Sequence, residues 1–224
     1  MKLLREQGFV VKYLGIEAYE NVLAAQQQFT RNRGPEDPDE LWVVGHPPVF
    51  TLGQTGKTEH VLDAGVIPLV QSDRGGQVTF HGPGQVVIYT LLNIRRLNLT
   101  VKSLVTSIEQ SVLDYLRDLG VQAETQSGAP GVYVQQQKIA ALGLRITRGY
   151  SYHGLSFNVA MDLAPFKGIN PCGYEGLEMT DLKRQGVDCT LAEVEVGLTQ
   201  ALICRLKAGK DQGDSSRSAQ GAVL

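Results

Sequence analysis

The chain has 224 residues, 42% of them hydrophobic, with 21 lysines and arginines against 23 acidic residues and a formal net charge of −2. That length suits one domain with a sizeable core, and the near-neutral balance gives no footprint for nucleic acid. No apolar run reaches the ~20 residues of a membrane span, and three widely spaced cysteines make neither a disulfide framework nor a zinc site. The start, Met1-Lys2-Leu3-Leu4-Arg5-Glu6-Gln7, turns polar too early for a signal peptide. A cytoplasmic protein with reduced thiols is expected.

Residues 10–14 predict a first strand. Residues 17–31 predict a helix with Tyr19, Val22, Leu23, Gln26 and Phe29 at core spacing. A polar loop at 34–39 leads to short strands at 41–45 and 49–53. Between them His46-Pro47-Pro48 forms a turn, and His46 reads as structural. Residues 54–60 are loop and 66–71 a strand.

Then comes the stretch that carries most of the information: Arg74-Gly75-Gly76-Gln77-Val78-Thr79-Phe80-His81-Gly82-Pro83-Gly84-Gln85. Four glycines and a proline alternate with polar side chains, and a buried-strand pattern follows at 86–92. Glycine-rich backbone before a buried strand can approach a ligand closely.

Thr100 caps a predicted helix over 101–119, with Leu104, Val105, Ile108, Val112, Leu116 and Leu119 as its apolar stripe and Gly120 as its stop. Residues 125–130 read as loop. Residues 131–134 and 138–147 read as a hairpin through Gln135-Gln136-Gln137, and 152–160 as a further strand. Residues 162–188 are irregular. Thr190-Leu191-Ala192-Glu193 is a capping box opening a last helix with Leu191, Val194, Leu198, Ala201, Leu202 and Leu206 on one face. One domain over 1–207 and a disordered tail over 208–224 are expected. Strands outnumber helices and are mostly joined by short connections. The expected class is therefore α/β of the α+β type, a mixed sheet with flanking helices rather than a doubly wound one. No nucleotide-binding glycine motif is present.

Two residues invite chemistry. Lys138 opens a strand whose alternation puts it in line with Ala140, Leu142, Leu144 and Ile146. A lysine there needs an anionic partner or a lowered pKa. Cys172 stands in the uncrowded turn Asn170-Pro171-Cys172-Gly173, and a reactive cysteine needs a nearby cation. Cys189 lies beside a helix start already capped by Thr190. Cys204 lies within the last helix and reads as packed or half-buried. His81 rivals Lys138 as the base, since Cys–His pairs are common in acyl chemistry. His153 shares a strand face with Leu155, Phe157 and Val159 and reads as a core histidine.

Four segments in order resemble the lipoyl(octanoyl) transferases: the stretch from Arg74 to Gln85, Gly131-Val132-Tyr133-Val134 with Lys138-Ile139-Ala140-Ala141-Leu142-Gly143, His153-Gly154-Leu155-Ser156-Phe157-Asn158, and Asn170-Pro171-Cys172-Gly173. The likeness runs from about Tyr19 to Leu206. It departs at Phe80, where that family more often has tyrosine. The resemblance implies the biotin and lipoate protein ligase fold. It makes Cys172 the acyl-carrying nucleophile and Lys138 its partner. The substrate would be bound by Arg74, Gly75, Gly76, Gln77, Val78, Thr79, Phe80 and His81, by Ala141, Leu142 and Gly143, and by Gly154, Leu155 and Ser156. It implies octanoyl-acyl carrier protein as donor, and lipoyl domains of 2-oxoacid dehydrogenase E2 subunits and the glycine cleavage H protein as acceptors. No cofactor and no metal are expected, and the chain is expected to act as a monomer. An ATP-dependent lipoate or biotin ligase, a cysteine acyl hydrolase and a non-catalytic lipoyl-domain binder are the alternatives. A basic patch of Arg74, Arg145, Arg148 and Lys167 is expected to receive acidic partners.

Overall fold

The valine-, isoleucine- and leucine-rich runs become the middle strands of one mixed sheet. The computed structural model describes residues 2–220, and the side chains of 2–208. In chain order the elements are β1 (Lys2–Glu6), β2 (Phe9–Ile16), α1 (Tyr19–Asn32), β3 (Asp39–Gly45), β4 (Val49–Leu52), β5 (Leu69–Gln71), β6 (Val78–His81), β7 (Gln85–Leu91), α2 (Val101–Asp118), β8 (Glu124–Gln126), β9 (Ala129–Val134), β10 (Gln137–Thr147), β11 (Tyr150–Asn158) and α3 (Leu191–Gln220). Eight strands form a sheet in the order β1-β2-β3-β7-β11-β10-β9-β8, and β5-β4-β6 form a second, smaller sheet. Within the large sheet β2 and β3 run parallel, with α1 as their crossover; the other pairs are antiparallel.

Both faces of the large sheet are covered, which is why β7 reads as a continuous apolar run. On one face α2 and α3 pack Leu104, Ile108, Val112, Leu198 and Leu202 against Val86, Ile88, Leu155 and Phe157. Each such fully buried side chain contributes roughly 1.5–3 kcal/mol. On the other face Val22 of α1 meets Trp42, Val44, Val87 and Leu91. The small sheet has its own core of Phe50, Leu52, Val78, Phe80 and Phe166.

Both helix starts are capped as predicted. Thr100 Oγ1 accepts from Ser103 N at 3.1 Å, and Thr100 N donates to Ser103 Oγ at 2.8 Å. Thr190 and Glu193 make the same exchange.

Several boundaries differ from expectation. β1 is an added edge strand, joined to β2 through Gln7 and Gly8, both with positive φ (48° and 93°), as a tight two-residue hairpin requires. Gln135 and Gln136 do the same between β9 and β10, at 49° and 69°. The strand expected at 66–71 forms only over Leu69–Gln71, and the loop expected at 125–130 contributes to β8 and β9. Residues 162–188 hold only short 3₁₀ turns. Cys204 is exposed on α3 rather than packed, because the buried side of that helix is already filled by Leu202, Ile203 and Leu206. The helical backbone continues to Gln220; the tail expected over 208–224 lies, beyond Ala208, outside the residues whose side chains are described.

Candidate active site

Lys138 and Cys172 are 34 positions apart in sequence and meet in space, with Lys138 Nζ 3.1 Å from Cys172 Sγ. The lysine comes from the start of β10. The register against β9 shifts between Lys138 and Ala140, so the plain alternation that aligned Lys138 with Ala140 and Leu142 fails there. Lys138 is instead paired with Tyr133. Its Nζ lies 5.0 Å from the centroid of the Tyr133 ring and donates to Pro130 O at 3.0 Å. The side chain is 0% exposed.

Burial pulls the Lys138 pKa down. The Cys172 sulfur and the Tyr133 hydroxyl together outweigh it, and the net shift is upward. The lowered lysine pKa that a buried general base suggests is therefore not the resting condition; the ammonium is kept charged by its neighbours. The Tyr133 hydroxyl donates to Ala129 O at 2.9 Å, which leaves its lone pairs for the ammonium.

Cys172 sits in the 3₁₀ turn Pro171–Gly173 with φ 58° and ψ 14°, a left-handed conformation that costs a non-glycine residue roughly 1–3 kcal/mol and clusters at functional sites. It is partly exposed.

A cavity of about 380 Å³ opens beside this pair. Residues 141–143 and 154–156 line it, and so do 74–81 with one exception. The exception is Phe80. Its ring lies 5.4 Å from both Phe50 and Phe166, in the core of the small sheet, because neighbours on β6 face opposite ways. Arg74 is buried and not part of any surface patch. Its guanidinium donates to Thr51 Oγ1 (3.1 Å), Thr51 O (2.6 Å), Gly75 O (3.0 Å) and Gln77 O (2.8 Å). Arg148 donates to Thr30 O and Arg31 O at the end of α1, so the expected four-residue basic patch is not assembled.

His81 lines the cavity but makes no hydrogen bond to Cys172. Its Nδ1 lies 2.8 Å from Gln85 Oε1 and its Nε2 3.5 Å from Thr51 Oγ1. Burial, then His46, pushes its pKa down to about 3, so the ring is neutral. His46, read as structural, is buried between Glu17 O and the Tyr89 hydroxyl, both at 2.7 Å.

The sequence left other walls unmarked: Tyr19, Tyr89, Val101, Val105, His153 and the segment Gly128-Ala129-Pro130. Tyr19 and Val105 stand at core spacing on their helices and yet line the cavity. Gly128 in the turn and Pro130 at the start of β9 carried the one local signal that could have flagged backbone near a ligand. His153 has φ 60°, which takes it off the face of Leu155 and Phe157 and lays it against Tyr152, ring centroids 4.9 Å apart. Among the described residues no group of three or more His, Cys, Asp or Glu could hold a metal, and no helix is long and apolar enough to cross a membrane.

A mixed sheet flanked by helices, with the cavity against it, is the architecture of the lipoate and biotin protein ligase fold. That fold is shared with a bipartite lipoate protein ligase from Thermoplasma acidophilum (TM-score 0.72, 17% identity, 88% of this chain and 82% of that one covered). It is shared also with the biotin protein ligase from Aquifex aeolicus in complex with biotin and ATP (0.59, 14%, 92% and 73%). At those identities the likeness concerns the fold alone. The profile of the lipoyl protein ligase A/B catalytic domain matches residues 18–203. An octanoyltransferase of Shewanella amazonensis is 57% identical over 189 residues, covering 84% of this chain and 88% of the relative. One of Dechloromonas aromatica is 57% identical over 197 residues, covering 88% and 96%. The chain belongs to the lipoyl protein ligase A/B catalytic domain family.

Proposed function

We propose that octanoyl transfer by this chain, an acyltransferase of protein lipoylation, runs through a thioester on Cys172 with Lys138 as the acid–base partner. The observation that carries the reading is the 3.1 Å contact between Lys138 Nζ and Cys172 Sγ at the cavity wall. The donor is octanoyl-acyl carrier protein. The acceptors are lysines of lipoyl domains, in 2-oxoacid dehydrogenase E2 subunits and the glycine cleavage H protein. The chain acts as a monomer in the cytoplasm, where Cys172 stays reduced.

The Cys172 thiolate attacks the donor thioester carbon. The donor sulfur leaves with a proton from Lys138. That step removes the negative sulfur from beside Lys138, so burial, the largest influence on this lysine and one that disfavours its charge, now favours the neutral amine. The acceptor amine then attacks the Cys172 thioester, Lys138 takes the proton it sheds, and the thiolate–ammonium pair is restored. Both bonds broken are thioesters, already activated, so no ATP is consumed. Gly173 N–H, one backbone candidate for the oxyanion, is already committed to Asn170 O at 2.9 Å.

Intact mass of the protein mixed with octanoyl-acyl carrier protein, without ATP, tests this. Wild type should carry an octanoyl adduct that hydroxylamine removes. Cys172→Ser should carry none, and Lys138→Ala should acquire it slowly. Octanoyl-lipoyl domain forming with no adduct at any time would refute the covalent route. Normal acylation in Lys138→Ala would remove the lysine from it.

A further inference from the structure

The cavity wall carries a second titratable pair that the thioester scheme leaves unused. His153 is 1% exposed and lines the cavity, and its Nε2 lies 2.8 Å from Asp73 Oδ1. Asp73 also accepts from Gln27 Nε2 at 3.1 Å and from the Tyr152 hydroxyl. Burial opposes the Asp73 charge, yet the bonds from His153, Tyr152 and Gln27 hold its pKa down to about 2. An ionised carboxylate only accepts hydrogen bonds. The His153 proton therefore sits on Nε2, and Nδ1 carries the lone pair. Burial, with Arg74 and Arg145, outweighs Asp73 and keeps the ring neutral. Nδ1 is buried and has no partner among the described residues.

An orphan acceptor is unfavourable, and so is a left-handed backbone at a non-glycine residue; His153 has both. A histidine serving only as core would follow the strand alternation and join Leu155 and Phe157, and this one does not.

We propose that His153 contacts substrate, its Nδ1 accepting a hydrogen bond from an N–H group of a substrate bound in this cavity, with Asp73 as the positioning residue that fixes the tautomer. The inference rests on the acyl-transfer reading above. An octanoyl tail has no donor to offer. Two N–H groups come close to the reacting carbon: the amine of the acceptor lysine, and an amide beside the thiol of a pantetheine-type donor arm.

His153→Gln keeps an N–H within reach of Asp73 and removes the Nδ1 acceptor. His153→Asn keeps a polar atom near the Nδ1 position and gives up Asp73. Each half-reaction is followed by single-turnover intact mass: acylation of Cys172 by octanoyl-pantetheine or by the amide-free S-octanoyl-2-mercaptoethanol, and aminolysis of the isolated acyl-enzyme by a lipoyl domain. His153→Gln, melting with wild type, should slow one half-reaction about tenfold, with partial recovery in His153→Asn. Loss confined to aminolysis identifies the lysine amine; loss with octanoyl-pantetheine but not with the amide-free thioester identifies the donor amide. Rates within twofold of wild type throughout, or equal loss with every substrate, overturn the inference. If His153→Gln does not fold, Asp73→Asn carries the test, with the same selectivity expected in weaker form and uniform or absent loss overturning it. No adduct on wild-type Cys172 would refute the thioester scheme and this inference with it. An adduct with unchanged variant rates refutes this inference alone.

Discussion

Gly131→Ala should disable the enzyme by moving one lysine. Gly131 has φ +139°, and a Cβ built there would lie 2.7 Å from Ala140 O, 2.9 Å from Lys138 Cε and 3.1 Å from Lys138 Nζ. The Ala140 carbonyl is backbone, so the 2.7 Å contact forces β9 and β10 apart locally, while the end of the lysine yields at the other two contacts. Restoring a contact from 2.9 Å to the 3.5–4.0 Å of ordinary packing requires a shift of roughly 0.6–1.1 Å. Directed away from Cys172 Sγ, now 3.1 Å away, that shift leaves Nζ roughly 3.7–4.2 Å from it, a weakened contact at the limit of a hydrogen bond to sulfur. A misplacement of about 1 Å costs on the order of 10²-fold in rate, or about 2.7 kcal/mol of barrier. The strained backbone adds roughly 1–3 kcal/mol of lost stability. Single-turnover acylation by intact mass, run well below the melting point found by circular dichroism, separates the two. A folded Gly131→Ala protein that acylates within threefold of wild type would refute the claim that Lys138 placement governs the step.

Lys138→Met should slow acylation at least about 10²-fold and lower the melting temperature. It removes the ammonium but leaves the Pro130 carbonyl and the Cys172 sulfur without their partner; a melt at or above wild type would contradict this. His81, depressed to about 3 by burial, is protonated in the unfolded chain below about pH 6.5 but not in the folded one. Its neutral form therefore contributes stability that is lost as pH falls from about 6.5 toward 3, at up to roughly 1.4 kcal/mol per pH unit. Urea melts of wild type and His81→Gln should diverge in slope over that window, and parallel slopes would count against a buried neutral His81. Gly154→Ala would put a methyl group inside the Ile88 carbonyl of the neighbouring strand. It should destabilise by more than about 3 kcal/mol, and a melt within 2 °C of wild type would show that the two strands can part.

Much of the site was legible because its parts are local. The glycine-rich stretch, Lys138 opening a strand and Cys172 in a Pro–Gly turn are contiguous motifs, and cavity, lysine and cysteine are assembled from them. What stayed hidden depended on backbone irregularity. The register shift after Lys138 and the positive φ of His153 each defeat the two-residue alternation from which side-chain direction was read. On β6 the alternation holds, and Phe80, counted among the substrate-binding residues by resemblance, turns into the core of the small sheet while Thr79 and His81 line the cavity.

By itself the sequence determined most of the element types, two helix caps and the two-sided burial of β7. Those follow from periodicity, capping chemistry and short motifs, all of which act over a few residues, whereas the pairing of Lys138 with Cys172 was implied only by the family resemblance. Tertiary structure alone decided which way charge is pushed. Lys138 faces sulfur, a tyrosine hydroxyl and a proline carbonyl, so its pKa goes up where burial alone would send it down. His81 is buried deep among His46, Arg74 and His153, and burial above all pushes its pKa down to about 3. A pKa is set by whatever lies within a few ångströms, and for these groups those neighbours arrive from distant parts of the chain.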